Sequence, residues 1–217
     1  MKTDKSKLQN NNAGFTLVEM VCVFVIMVML AAMSIVGMLA YQDYADFKKV
    51  NTYAQTLFNA ASAKMTDYSV HGMLDEMPTD ISNEVDLTTV LTPNGEVASE
   101  SDNGLYAKYH KVYYLTGNEE TYEAYVSGAY TGKKDFESRS KVALYELFDE
   151  FITDKSILRG TILVEFNPTD GLVYSVFYSD KCKSFSYFSD SEDGIVNVLD
   201  RSEGVRSEWM VGYFGVE

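Results

Sequence analysis

Between Phe15 and Ala40 the sequence reads FTLVEMVCVFVIMVMLAAMSIVGMLA, and the single charge in these 26 residues is Glu19. A carboxylate in so apolar a run costs a few kcal/mol to insert into a bilayer, so it calls for a function and a partner. Snorkelling to the cytoplasmic headgroups is the plainer alternative for a charge at that depth. Other reactive chemistry is thin. Two histidines and two cysteines are too few for a Cys-and-His zinc site, a disulfide framework or a binuclear histidine site. His71 and His110 stand far apart with no serine or cysteine signature beside either, and no phosphate-cradling glycine loop occurs. Asp190, Glu192 and Asp193 in SDSEDG group oxygen ligands as a calcium loop does. Their spacing is not that of an EF-hand, and an acidic turn is more often solvated surface. Cys22 lies in the apolar run and Cys182 far along the chain, so no bridge joins them.

The element that must carry Glu19 is a helix. Twenty-six residues at about 1.5 Å each reach about 39 Å, more than the roughly 30 Å of bilayer hydrocarbon. Before it stands MKTDKSKLQNNNAG, with Lys2, Lys5 and Lys7 against Asp4. The positive-inside tendency keeps such a leader in the cytoplasm and sends the chain from Tyr41 onward outside. A secretory signal peptide has a shorter apolar core followed by a small-residue cleavage site. Here Gly14 precedes the run and no such site follows it at once.

Gly14-Phe15-Thr16-Leu17-Val18-Glu19 with the long apolar run resembles the class III signal of type IV prepilins and type II secretion pseudopilins. The resemblance covers roughly the first fifth of the chain. It implies that a prepilin peptidase cuts between Gly14 and Phe15 and methylates the new amine of Phe15. It also makes Glu19 the docking carboxylate, which neutralises the Phe15 ammonium of its own or a neighbouring chain. Many family members carry a proline in the middle of the helix where this chain has Val36, followed by Gly37. Many also close a C-terminal loop with a disulfide, and this chain does not. The major secretion pseudopilins bind calcium in a C-terminal loop, which gives SDSEDG its interest.

Past Ala40 an apolar stripe continues through Tyr44, Phe47, Val50, Ala54, Leu57, Ala61, Met65 and Tyr68, in steps of three or four. That is the period of an amphipathic helix. His71-Gly72 and Pro78 mark its end. The segment from His71 to Gly104 is acidic and rich in turn signals and reads mostly as loop. Tyr106–Leu115 and Thr121–Tyr130 read as strands, Phe136–Ile152 as a helix with Leu144, Leu147, Phe148 and Phe151 on one side. Thr161–Phe166 and Leu172–Tyr178, joined by Asn-Pro-Thr-Asp-Gly, form the clearest hairpin. Shorter strands fall at Ser184–Phe188, Ile195–Leu199 and Trp209–Phe214.

The expected fold is therefore α+β and pilin-like, a long N-terminal helix packed on an antiparallel sheet head. Its divisions are a cleaved leader (1–14), a transmembrane and filament-core helix (15–40), an amphipathic continuation (41–69) and a head (70–217). Thirty-two acidic residues against 18 basic ones give a net charge of −14, which repels phosphate backbones and argues against a nucleic-acid surface. The resemblance implies a structural subunit and no enzyme, held in the membrane by one pass and then placed in a surface filament. Its partners would be the prepilin peptidase, other pilin subunits, the assembly platform and ATPase, and membrane lipid before assembly. No cofactor is implied beyond the calcium candidate. The head is larger than a minimal major pilin needs, which favours a minor or accessory subunit. The alternative is a signal-anchored extracellular domain that binds a ligand or acts on a wall polymer without polymerising.

Overall fold

A computed structural model describes residues 15–74, 83–86, 111–187, 194–198 and 209–215. The chain divides into two compact units, Met1–Tyr44 and Ala45–Glu217.

Helix α1 spans Leu17–Val70. In the first unit its side chains are exposed all round, as an apolar helix surrounded by lipid requires. Its backbone bonds are satisfied within the helix, the only way a single segment can cross hydrocarbon. Ser34, the polar residue in mid-run, turns its hydroxyl back to the Leu30 carbonyl at 2.8 Å. Val36 and Gly37 continue the helix without a break. Among the described residues α1 is the helix long and apolar enough to span a membrane.

In the second unit the same helix is one-sided. Val50, Ala54, Leu57, Ala60, Ala61 and Met65 are buried, with Phe47 and Tyr68 packed at the margin. Tyr44 does not join the buried stripe: its side chain is exposed. The helix ends where glycine permits a left-handed turn. Gly72 has φ +67°, and the Met73 amide reaches back to the Tyr68 carbonyl at 2.8 Å.

The main sheet has five antiparallel strands in the order β1 (Asn83–Asp86), β2 (Lys111–Gly117), β3 (Thr161–Asn167), β4 (Leu172–Ser179) and β7 (Gly212–Gly215). Strands β5 (Ser184–Ser186) and β6 (Ile195–Asn197) pair in parallel as a separate ribbon. Helix α2 (Glu119–Val126), helix α3 (Phe136–Asp149) and a 3₁₀ turn (Lys155–Arg159) are the other helical elements among the described residues of the head.

The sheet is buried on both faces. Leu115, Ile162, Val164, Val176 and Tyr178 share a core with the α1 stripe and with Leu144, Leu147 and Phe148 of α3. Val112, Leu163, Tyr174 and Phe177 meet Phe185, Tyr187, Val196 and Val198 on the other side. This explains why β3 reads as a nearly continuous apolar run and not as an alternation.

Four expectations need correction. Thr121–Tyr130 is not a strand: residues up to Val126 are helical and turns follow. A capping box starts this helix, with Asn118 Oδ1 accepting from the Thr121 amide at 3.1 Å and Thr121 Oγ1 accepting from the Asn118 amide at 2.8 Å. Its tyrosines then stack on a helix, Tyr122 and Tyr125 lying 5.3 and 5.1 Å from the Tyr145 ring. Strand β1 interrupts the segment read as loop, paired along β2 from Asn83 opposite Tyr114. Phe151 is exposed, since α3 ends at Asp149 and the chain turns before it. The last strands are shorter than expected, β7 beginning at Gly212 instead of Trp209. The start of the Tyr106 strand lies outside the described residues.

Candidate assembly site at the start of the apolar helix

Phe15 and Thr16 precede the first turn of α1, and Glu19 lies within that turn. The Thr16 amide donates to Glu19 Oε2 at 2.8 Å, and the Thr16 hydroxyl donates to the same oxygen at 2.9 Å. In return the Glu19 amide donates to Thr16 Oγ1 at 3.2 Å. The two side chains form a reciprocal capping box, Thr16 as cap and Glu19 three residues on. A carboxylate here also meets the positive end of the helix dipole. Phe15, just ahead, is 80 % exposed.

Gly14 lies outside the described residues, so the structure carries Phe15 and Glu19 of the three residues expected to serve processing and assembly. Thr16 is the member that reading Glu19 only as a charge misses. The signal for it is in the sequence, since T-x-x-E before an apolar run is itself a capping signature.

Asp190, Glu192 and Asp193 fall outside the described residues, and no cluster of three or more potential metal ligands occurs among those described. His71 sits exposed at the end of α1 beside Asp67, 3.1 Å from its carboxylate. Cys22 and Cys182 are both free thiols. Burial pushes the Cys182 thiol up to about 11, which keeps it protonated and a poor nucleophile at neutral pH. Glu165 is a fully buried carboxylate on β3 that accepts hydrogen bonds from the hydroxyls of Ser175 and Tyr187. It is tied into the packing between sheet and ribbon. A cleft of about 370 Å³ between α2 and the 3₁₀ turn is lined by Tyr122, Val126, Lys155 and Arg159 among others. Its two cations are already engaged, Arg159 with Glu119 and Glu123 and Lys155 with Asp149.

The family model of the prokaryotic N-terminal methylation motif matches residues 9–40. This stretch is the class III signal peptide of type IV prepilins and pseudopilins, and it contains Gly14, Phe15, Thr16 and Glu19. Motif and apolar helix together support membrane anchoring and prepilin-type processing, and the long helix with its antiparallel sheet is α+β and pilin-like in architecture. The motif points to a structural role. No curated protein and no solved structure matches the chain.

Proposed function

We propose that the protein is a structural subunit, in a minor or accessory position, of a type IV pilus or type II secretion-like filament. Prepilin peptidase removes residues 1–14 by cutting between Gly14 and Phe15 and methylates the Phe15 amine. Residues 15–40 hold the subunit in the membrane and then enter the filament core, where helix-to-helix packing replaces lipid. Residues 41–69 continue the helix into the head, and residues 70–217 complete the outer coat. Platform and ATPase machinery extract the subunit, and Glu19 pairs with the Phe15 ammonium of a neighbour.

One observation carries this reading: the methylation motif overlies the exposed apolar half of a helix whose other half is the spine of a folded head. A plain signal anchor accounts for the hydrophobicity but not for the Gly-Phe junction or for Glu19. The test is intact-mass analysis of the protein from a host with an active prepilin peptidase. The expected chain begins at a methylated Phe15. Retention of the first fourteen residues would leave the anchored, non-polymerising domain as the better account.

A further inference from the structure

We propose that one end of the head is a lipid-facing surface: Lys48 and Lys49 of α1, with Lys181 and Lys183 after β4, lie against anionic phospholipid headgroups while the chain is anchored in the membrane. The inference rests on membrane anchoring and stands apart from the filament reading, since it concerns the subunit before any assembly.

Three segments of the head meet at this end. Lys49 Nζ pairs with Asp180 Oδ2 at 3.4 Å, and the rings of Tyr53 and Tyr178 pack edge to face with centroids 5.3 Å apart, so the end of β4 lies beside α1. The Ser179 hydroxyl donates to the Trp209 carbonyl at 3.4 Å, and Lys181 Nζ reaches Met210 Sδ at 3.6 Å, which brings in the segment before β7. All four lysines are exposed, and Trp209, the one tryptophan of the chain, is half-buried. Lysine and tryptophan are residues that suit a membrane interface, the ammonium among the phosphates and the indole at headgroup level.

Charge sets these lysines apart. Elsewhere in the head Lys64 is paired with Glu150, Lys155 with Asp149, and Arg159 with Glu119 and Glu123. Among the described residues the ammonium groups of Lys181 and Lys183 have no carboxylate partner, and Lys181 Nζ contacts a methionine sulfur. Four lysines stand here against Asp43, Asp46 and Asp180, in a chain with 32 acidic residues against 18 basic ones. A bilayer is within their reach by chain length alone. Lys48 follows Ala40, the end of the apolar run, by eight positions, a tether of about 12 Å as helix and about 28 Å fully extended. An anionic surface attracts each lysine that comes within a screening length, about 10 Å at 0.1 M salt, and strengthens the contact about fivefold per lysine.

The test uses the full-length chain in nanodiscs that carry a dansyl-headgroup lipid, made of phosphatidylcholine alone or with phosphatidylglycerol added. Co-elution with the discs establishes insertion. Energy transfer from Trp209 to dansyl then reads how close this end of the head comes to the bilayer. At low salt transfer should be higher in the anionic discs, and about 1 M salt, where the screening length is about 3 Å, should abolish the excess. Lys181→Gln should lower the ratio of contacting to free heads about fivefold in anionic discs, and Lys181→Arg should keep the wild-type ratio. Lys64→Gln removes the same charge from a residue about 24 Å further along α1 than Lys48, and should leave the ratio unchanged.

Equal transfer in the two kinds of disc, an excess that survives high salt, or an equal loss from Lys64→Gln would overturn the proposal. So would displacement by inorganic phosphate beyond that given by chloride at the same ionic strength, which would mark a discrete anion site and not a lipid-facing surface. A chain that does not co-elute with the discs would bring down the anchoring and the proposal together, a pattern distinct from all of these.

Discussion

Leu30 and Leu57 occupy the same helix and have opposite surroundings. Leu30 is 59 % exposed among other exposed apolar side chains, whereas Leu57 is fully buried against the sheet and α3. One regular backbone therefore serves two solvents. In the stem half every face is apolar and none is satisfied by the chain itself. In the head half only the Val50 to Met65 stripe is apolar, and the domain buries it. The same substitution should accordingly do different things in the two halves. Leu57→Ala should destabilise the head by about 2–5 kcal/mol, the usual range for a large-to-small change in a packed core. Leu30→Ala should leave head unfolding unchanged in detergent micelles. Urea unfolding followed by the near-ultraviolet signal of the head aromatics measures both. Equal effects would mean that the two halves do not fold as separate units.

Two glycines sharpen the contrast at smaller scale. Gly212 of β7 lies against the backbone of α1, where an added Cβ would stand 2.2 Å from the Val50 carbonyl oxygen and 2.8 Å from the Asn51 amide nitrogen. The Asn51 side chain also accepts the Tyr213 amide at 3.3 Å, so helix and strand meet backbone to backbone. A Cβ added at Gly37 would meet nothing within 4 Å beyond the helix's own neighbouring backbone. Gly212→Ala should therefore cost about 1–3 kcal/mol of head stability through overpacking. Gly37→Ala should not lower it, since alanine is the better helix former. The pair is read in the same urea titration. A harmless Gly212→Ala would mean that β7 can draw away from the helix without loss.

What the sequence makes legible follows the same division. The stem needs only length, apolarity and one charge to be recognised, and those are local properties. The β3–β4 hairpin is legible because its turn is built from its own residues. Asn167 Oδ1 accepts the Thr169 amide at 2.9 Å, Asp170 Oδ1 accepts the Leu172 amide at 3.0 Å, and Gly171 supplies φ +72°. The eight residues of α2 are not legible by composition. Tyrosine suits strands, but the Asn118–Thr121 cap and the Tyr145 ring override that preference. Strand β1 is hidden for a related reason: Asn-Glu-Val-Asp has no strand character of its own and is held by pairing with β2. At the candidate site Glu19 stands out by rarity, whereas Thr16 shows only when the pair is read as a cap.

The smallest expected effect compares the charge of the stem with a charge pair of the head. Glu19 is the one charge of the apolar run from Phe15 to Ala40. Lys64 and Glu150 instead meet at the surface, Nζ to Oε2 at 2.8 Å, with the Glu150 side chain 65 % exposed. The hydrogen bond to Glu150 raises the Lys64 pKa above its ordinary value. A raised lysine contributes stability that is fully present below its unfolded pKa of about 10.4 and is lost as pH rises through the folded value. At neutral pH the contribution is therefore complete, though water and salt keep it small. A double-mutant cycle with Lys64→Met and Glu150→Gln should give a coupling of about 0.5 kcal/mol at low ionic strength. In about 1 M salt, where the screening length falls to about 3 Å, the coupling should shrink toward zero. The cycle also cancels what Lys64 contributes by lying 5.3 Å over the Tyr68 ring, because that contact is lost equally with and without Glu150. A coupling above about 2 kcal/mol, or one indifferent to salt, would place this pair among the buried and desolvated interactions. The head would then rest on surface charge as well as on the apolar stripe of α1.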